Sequence, residues 1–309
     1  MPTAKATSRY QSARGSLGML EELFRKAVQL GQRIATEDNM CFRELLDRAR
    51  ELWTEYDPKP DASNRIIMGV DSGWKVRLYE GFYVYALRAA AVDEHQKVHE
   101  PIVKFDRIGG GRSDLTPENY VKYQGEIAEH DVAYKVVDEA DYVLVDGSLA
   151  ARLLDASNVL RDKPDLVEYL ASAKALRNKK NIIFVAKYSR HRFLLQGELG
   201  DVYYIARSTR TPGYVLGQTY ELFEIPITTA YVRLTKHANP LAIEILSKDT
   251  DEADVRHIMD VLSSRSVMGY PYVLYLAHRV VRVTKTLMEQ LCKAAGLISF
   301  RDAREVVQR

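Results

Sequence analysis

Apolar residues along this chain follow two periods, one helical and one of strands. From Ser16 to about Tyr56, Leu20, Leu23, Phe24, Ala27, Leu30 and Ile34, then Leu45, Leu46, Ala49, Leu52 and Trp53, recur at helical spacing. The pattern predicts one long helix or two, interrupted near Gly31 or the Glu37-Asp38-Asn39 stretch. Asp57-Pro58-Lys59-Pro60-Asp61 ends it and leads into a first strand. Residues 1–15 are expected to form a disordered tail, 16–60 an N-terminal helical extension and 61–309 the main domain.

A β-rich stretch follows, with strands expected at 65–71, 75–79, 82–92 and 102–105. Gly109-Gly110-Gly111-Arg112 is expected to be a flexible loop. Thr116 as N-cap and Pro117 at the first helical position open a helix to about Ala140. This leads directly into a buried strand, 142–146. A helix at 164–178, a strand at 181–187 and three extended runs (214–223, 227–234 and 241–246) come next. A helix at 250–264 and a helical region from Pro271 to about Val307, broken at Gly296, complete the pattern.

Two strands in this pattern stop at an aspartate followed by small residues: Ile66-Ile67-Met68-Gly69-Val70-Asp71-Ser72-Gly73 and Tyr142-Val143-Leu144-Val145-Asp146-Gly147-Ser148-Leu149. Asp is depleted within strands, so at the carboxyl end of a buried strand it either turns the chain or does chemistry. Ligands of open α/β sheets bind at those ends. Two carboxylates delivered there suggest a divalent-metal site, because hard cations take several oxygen ligands.

Composition narrows the picture modestly. The 309 residues are 46% hydrophobic and 28% charged, with a formal net charge of +2, as expected of a globular protein. No run of 18 apolar residues suggests a membrane span, and Met1 to Gly18 lacks the apolar core of a secretory signal. Cys41 and Cys292 lie far apart and make no zinc motif, so free thiols in a cytoplasmic protein are expected. Nineteen tyrosines against eight phenylalanines suit wet interfaces or stacking on bases as well as a core. The Gly109–Arg112 run lacks the Gly-Lys-Ser/Thr of a phosphate-binding loop.

A third carboxylate is sought on helix 117–140, which runs back antiparallel to strand 142–146. To sit level with Asp146, a side chain must lie about 12 residues before the helix end. That selects Glu126 or Glu129. Glu129 shares its face with Gly125, Val132, Ala133 and Val136 and is the first choice. Glu126 has Lys122, Tyr123, Glu129 and His130 beside it and remains the alternative. In the late helix, His278 would complete the set as metal ligand or general acid/base. Tyr270 would orient a phosphate or the attacking water. Lys187, ending its strand, would meet a phosphate oxygen, with Arg190 and Arg192 extending a backbone-contacting patch.

The element order, an Asp-bearing strand, antiparallel strands, a helix, a second Asp-bearing strand, a helix and a strand, is that of a ribonuclease H-like α/β fold, a mixed sheet flanked by helices. The motifs also resemble the NurA nuclease family. The resemblance rests on Gly69-Val70-Asp71-Ser72-Gly73, on Glu129 or Glu126 ahead of Val145-Asp146-Gly147-Ser148-Leu149, on Lys187-Tyr188-Ser189, and on Gly269-Tyr270-Pro271 with Leu274 and Ala277-His278. Many relatives have Asp-Gly-Ser where this chain has Asp71-Ser72-Gly73.

The resemblance implies a manganese-dependent deoxyribonuclease, with two ions and magnesium as an alternative. Asp71, the helix glutamate, Asp146 and His278 would bind metal, assisted by Lys187 and Tyr270. It implies 5′-to-3′ exonuclease action on single- and double-stranded DNA, with single-strand endonuclease activity. It further implies a homodimer resecting DNA ends with a hexameric HerA-type ATPase. Two rivals are an actin-like ATPase, for which a second glycine-rich phosphate loop is missing, and a catalytically silent DNA-binding partner of a motor protein.

Overall fold

A computed structural model describes residues 18–32, 40–61, 63–109 and 115–297. The chain divides into two units, residues 1–48 and 49–309. The first contains helix α1 (residues 18–32) and most of α2 (Met40–Leu52). On α1, Leu20, Leu23, Phe24 and Val28 are exposed. The expected tail, residues 1–15, lies outside the described residues, as do residues 110–112 of the glycine-rich loop. Helix does not continue to Tyr56. It ends at Leu52, and β1 (Thr54–Glu55) instead adds to the sheet edge at β7 (Gly213–Leu222).

The second unit is built on one nine-stranded sheet in the order β1-β7-β8-β9-β6-β5-β2-β3-β4. Its centre is β2 (Ile67–Tyr79), β5 (Tyr142–Asp146) and β6 (Ile182–Ala186), mutually parallel. β3 (Phe82–Asp93) and β4 (Val98–Ile108) continue antiparallel on one side. β9 (Leu241–Ile245), β8 (Ile225–Arg233) and β7 do so on the other. Three antiparallel strands followed by two parallel to the first make the β4-β3-β2-β5-β6 half a ribonuclease H-like sheet.

Alternation along the central strands explains why both faces are covered. Met68, Val70, Val143, Val145, Ile182 and Phe184 point to one core, shared with α3 (Pro117–Val136), α4 (Leu149–Val159) and α5 (Pro164–Ala175). Ile67, Leu144, Ile183 and Val185 point to the other, shared with α7 (Glu252–Ser263) and α8 (Tyr272–Val281). Each such buried side chain stabilises the fold by roughly 1.5–3 kcal/mol. Gly69 faces α8, and a Cβ there would fall on the Val273 carbonyl. The missing side chain lets the helix lie close against β2. α9 (Lys285–Ala294) seats Met288 and the free Cys292 on Val84 and Ala86 of β3.

Several boundaries differ from those the sequence suggests. The strands expected at 65–71 and 75–79 are one. β2 keeps register with β3 through Asp71, opposite Ala90, and Gly73, opposite Arg88. Ser72-Gly73 is therefore not a turn. α4 and α6 (Asp201–Ser208) are additional to the helices the sequence pattern predicts. The terminal helical region breaks at Arg282–Thr284 rather than only at Gly296.

Candidate active site

Asp146 ends β5, as its sequence context suggests, but Asp71 lies within β2. The two still meet at one level, because parallel pairing of β2 with β5 stops at Val70 opposite Val145. Beyond that pair β5 turns away, and β2 continues beside β3 alone. Asp71 thus occupies the carboxyl end of the parallel part of the sheet, where a ligand has access.

Glu129 approaches from α3 and is almost fully buried. Its Oε1 accepts from the Ser72 hydroxyl at 2.5 Å, and its Oε2 accepts from Arg152 at 2.6 Å. A second guanidinium nitrogen of Arg152 donates to the Asp146 backbone carbonyl at 2.5 Å. Glu126 faces elsewhere. It accepts from the Tyr169 hydroxyl at 2.7 Å and lies 3.9 Å from the Lys122 ammonium. The structure thus brings Glu129, not Glu126, to the residue beside Asp71. Arg152 is a site residue that the sequence pattern does not single out, because it lies on α4, a helix that the pattern does not predict. Its signal was present: Ser148 caps the helix, accepting from Ala151 N, ahead of Leu149, Leu153 and Ala156 at helical spacing.

His278, on α8, places Nδ1 2.9 Å from Asp71 Oδ2 while its side chain stays 62% exposed. Tyr270 donates its hydroxyl to Asp146 Oδ1 at 3.0 Å. The Lys187 ammonium stands 3.6 Å from the centre of the Tyr270 ring. An open cleft of about 560 Å3 is lined by Asp71, Asp146, Arg152, Lys187 and Arg190. Arg192 does not line this cleft and instead donates to the Glu198 carbonyl at 3.3 Å.

Charge in the cleft is frustrated. Burial first, then the charge of Asp146, push the Asp71 carboxyl up, against the pull of the Ser72 N–H, Arg152 and Lys187. Burial also pushes Glu129 up, opposed chiefly by Arg152. Burial and Asp146 raise the Tyr270 phenol, keeping it a donor. Among the described residues, no three His, Cys, Asp or Glu side chains already stand as a cage for one ion. The expected set of Asp71, Glu129, Asp146 and His278 is therefore not preassembled. Ser72 and Arg152 engage Glu129, His278 is committed to Asp71, and Tyr270 to Asp146. The donor chemistry nonetheless fits a divalent cation: two carboxylates crowd one cleft at electrostatic cost, and their oxygens are hard ligands.

In the cleft wall, the Ser148 hydroxyl lies 2.6 Å from Glu244 and 2.8 Å from His191 Nε2. All three side chains are buried. As helix cap and donor to Glu244, this serine is a structural link rather than an exposed nucleophile. Burial pushes Glu244 up to about 7 and lowers His191.

Comparison with known proteins follows the same outline. The DNA double-strand break repair nuclease NurA of Saccharolobus solfataricus is 23% identical over 331 residues, covering 92% of this chain and 97% of that protein. The crystal structure of the NurA nuclease from Sulfolobus solfataricus superposes with a TM-score of 0.76 at 22% identity, covering 89% of this chain and 96% of that one. A crystal structure of NurA bound to dAMP and manganese gives 0.59 at 15% identity, covering 98% and 99%. The family model described as the NurA domain matches residues 65–283. That span takes in the sheet from β2 onward and every site residue from Asp71 to His278, and with it this chain belongs to the NurA family.

Proposed function

We propose that this chain is a metal-dependent deoxyribonuclease acting at DNA double-strand breaks, with the Asp71–Asp146 cleft as its catalytic centre. The observation that carries the reading is the convergence of two strand-borne carboxylates and a lysine on one open cleft, with buried Glu129 tied to its Arg152 and to Ser72 beside Asp71. The names of the curated relatives and the manganese-bound relative support it.

Asp71 and Asp146 would hold manganese, with Glu129 and His278 completing the ligand set. Divalent ions bound there supply an activated water and positive charge for the leaving oxygen. Tyr270 fixes the rotamer of Asp146 through its hydroxyl. Arg152 holds the end of β5 and Glu129 together and opposes the upward push of burial on the Glu129 carboxyl. Lys187, fixed over the Tyr270 ring, offers its ammonium to a non-bridging phosphate oxygen. Arg190, in the cleft wall, meets the adjoining phosphate.

The family resemblance supports finer proposals: 5′-to-3′ exonuclease action with single-strand endonuclease activity, a homodimeric working unit, and partnership with a HerA-type hexameric ATPase in the cytoplasm. Residues 61–309 would carry catalysis, and 16–60 would serve as an extension for assembly. Among the described residues, no helix is long and apolar enough to cross a membrane. The test is cleavage of end-labelled single- and double-stranded DNA with manganese, magnesium or chelator. Metal-dependent cleavage by the wild type, lost in Asp146→Asn, is expected. An inert wild type under every metal would refute the catalytic reading.

A further inference from the structure

A second, smaller pocket of about 250 Å3 adjoins the carboxylate cleft and shares Lys187 and Tyr188 with it as a common wall. Asn239, Leu241, Met268 and Gly269 complete its lining, with Tyr270 at the junction. Two of these side chains are anomalous. Tyr188 is 87% exposed and Met268 is 91% exposed, so neither contributes its apolar surface to the core.

Met268 is anomalous in backbone as well. With Gly269 it forms the two-residue turn between β10 (Ser266–Val267) and β11 (Tyr270–Pro271), and both have positive φ, +53° and +77°. Such a turn favours Asn or Gly at its first central position. A methionine there bears left-handed strain and buries little in return. The turn is not loose: a Cβ on Gly269 would fall on the Ala238 side chain, so the tip is seated against that neighbouring loop. The next residue, Tyr270, bonds Asp146. The hairpin therefore fixes Met268 at a set distance from the catalytic carboxylate. Strain maintained beside a reactive site is a signature of function.

We propose that this pocket receives the base of the nucleotide next to the scissile phosphate. Tyr188 and Met268 close on its two faces, and the Asn239 amide meets its edge. A nucleobase is the matching ligand because it is flat, apolar on its faces and polar at its rim, and the shared wall leads directly to the phosphate site. Stacking on an aromatic ring tolerates any sequence, which suits an enzyme that processes broken ends. The inference rests on the nuclease reading and specifies how that site holds its substrate.

The test uses an oligonucleotide carrying the fluorescent base 2-aminopurine, with chelator present so that no cleavage occurs. Wild type, Tyr188→Ala, Tyr188→Phe and Met268→Gly are compared by anisotropy and by stacking-induced quenching. Wild type is expected to quench the probe. Tyr188→Ala and Met268→Gly should bind about tenfold more weakly and lose the quenching, whereas Tyr188→Phe should retain it. Met268→Gly should unfold at the same or a higher temperature, because glycine relieves the left-handed position. No quenching by wild type, equal binding by both weakened variants, or a Met268→Gly defect that appears only with thermal destabilisation would overturn the base pocket. If wild type also cleaves DNA once metal is added, the nuclease reading survives that result. Variant-sensitive quenching without cleavage under any metal would retain the pocket and remove the nuclease.

Discussion

Arg152 and Glu129 form an ion pair at 2.6 Å between α4 and α3, with the carboxylate almost fully buried. Removing one member of a buried pair leaves the other charge uncompensated, which costs more than the pair contributes. Arg152→Ala should destabilise the fold by about 3 kcal/mol, measured by urea unfolding. Combining it with Glu129→Gln should recover part of that loss. Additive losses in the double variant would show that the two residues are not coupled.

Tyr270→Phe removes only the hydrogen bond to Asp146. The ring and its contact with Lys187 persist, so the fold should be unchanged. A hydrogen bond to a charged group contributes roughly 1.5–3 kcal/mol, so kcat should fall at least about tenfold. A variant that cleaves at the wild-type rate would remove Tyr270 from the account.

Much of the site was legible in the sequence because two strands interrupt an apolar run with aspartate, which no packing requirement explains. His278 and Tyr270 stand out because one is a polar residue inside an apolar helical run and the other precedes the proline that opens it. Arg152 could not be placed without α4, and a lone arginine in an unassigned stretch carries no signal of burial. Asp71 was placed at a strand end because Ser72-Gly73 resembles a turn. In the structure these residues stay paired with β3, and it is the departure of β5 that opens the site. Register between distant strands decides such a point, and local composition does not contain it. Glu129 was preferred over Glu126 by helix facing, and the geometry follows that facing: Glu126 turns to Tyr169 on α5.

Glu244 provides a pH test outside the carboxylate cleft. Burial raises its folded pKa from 4.5 to about 7. A group with a raised folded pKa contributes stability that is fully present below its unfolded pKa and is lost as pH rises through the folded value. Unfolding free energy from this source should therefore decline between pH 4.5 and 7, by up to about 3 kcal/mol. Glu244→Gln cannot ionise, so its stability relative to wild type should improve across that window. A difference between the two proteins that stays flat with pH would contradict the assignment.

Gly69→Ala places a methyl group on the Val273 carbonyl where α8 lies against β2. The helix must move, and His278 moves with it. A loss of roughly 1–3 kcal/mol is expected from such overpacking, together with weaker manganese binding. Retained thermal stability and metal affinity would show that the close approach of the helix is not required.

If Asp71 and Asp146 share a divalent cation, manganese titrated calorimetrically into the chelator-stripped protein will report it. Wild type should bind saturably, and binding should be lost in Asp71→Asn and in Asp146→Asn, with both variants folded by circular dichroism. Undiminished manganese binding in the two folded variants would place the metal elsewhere and contradict the shared site.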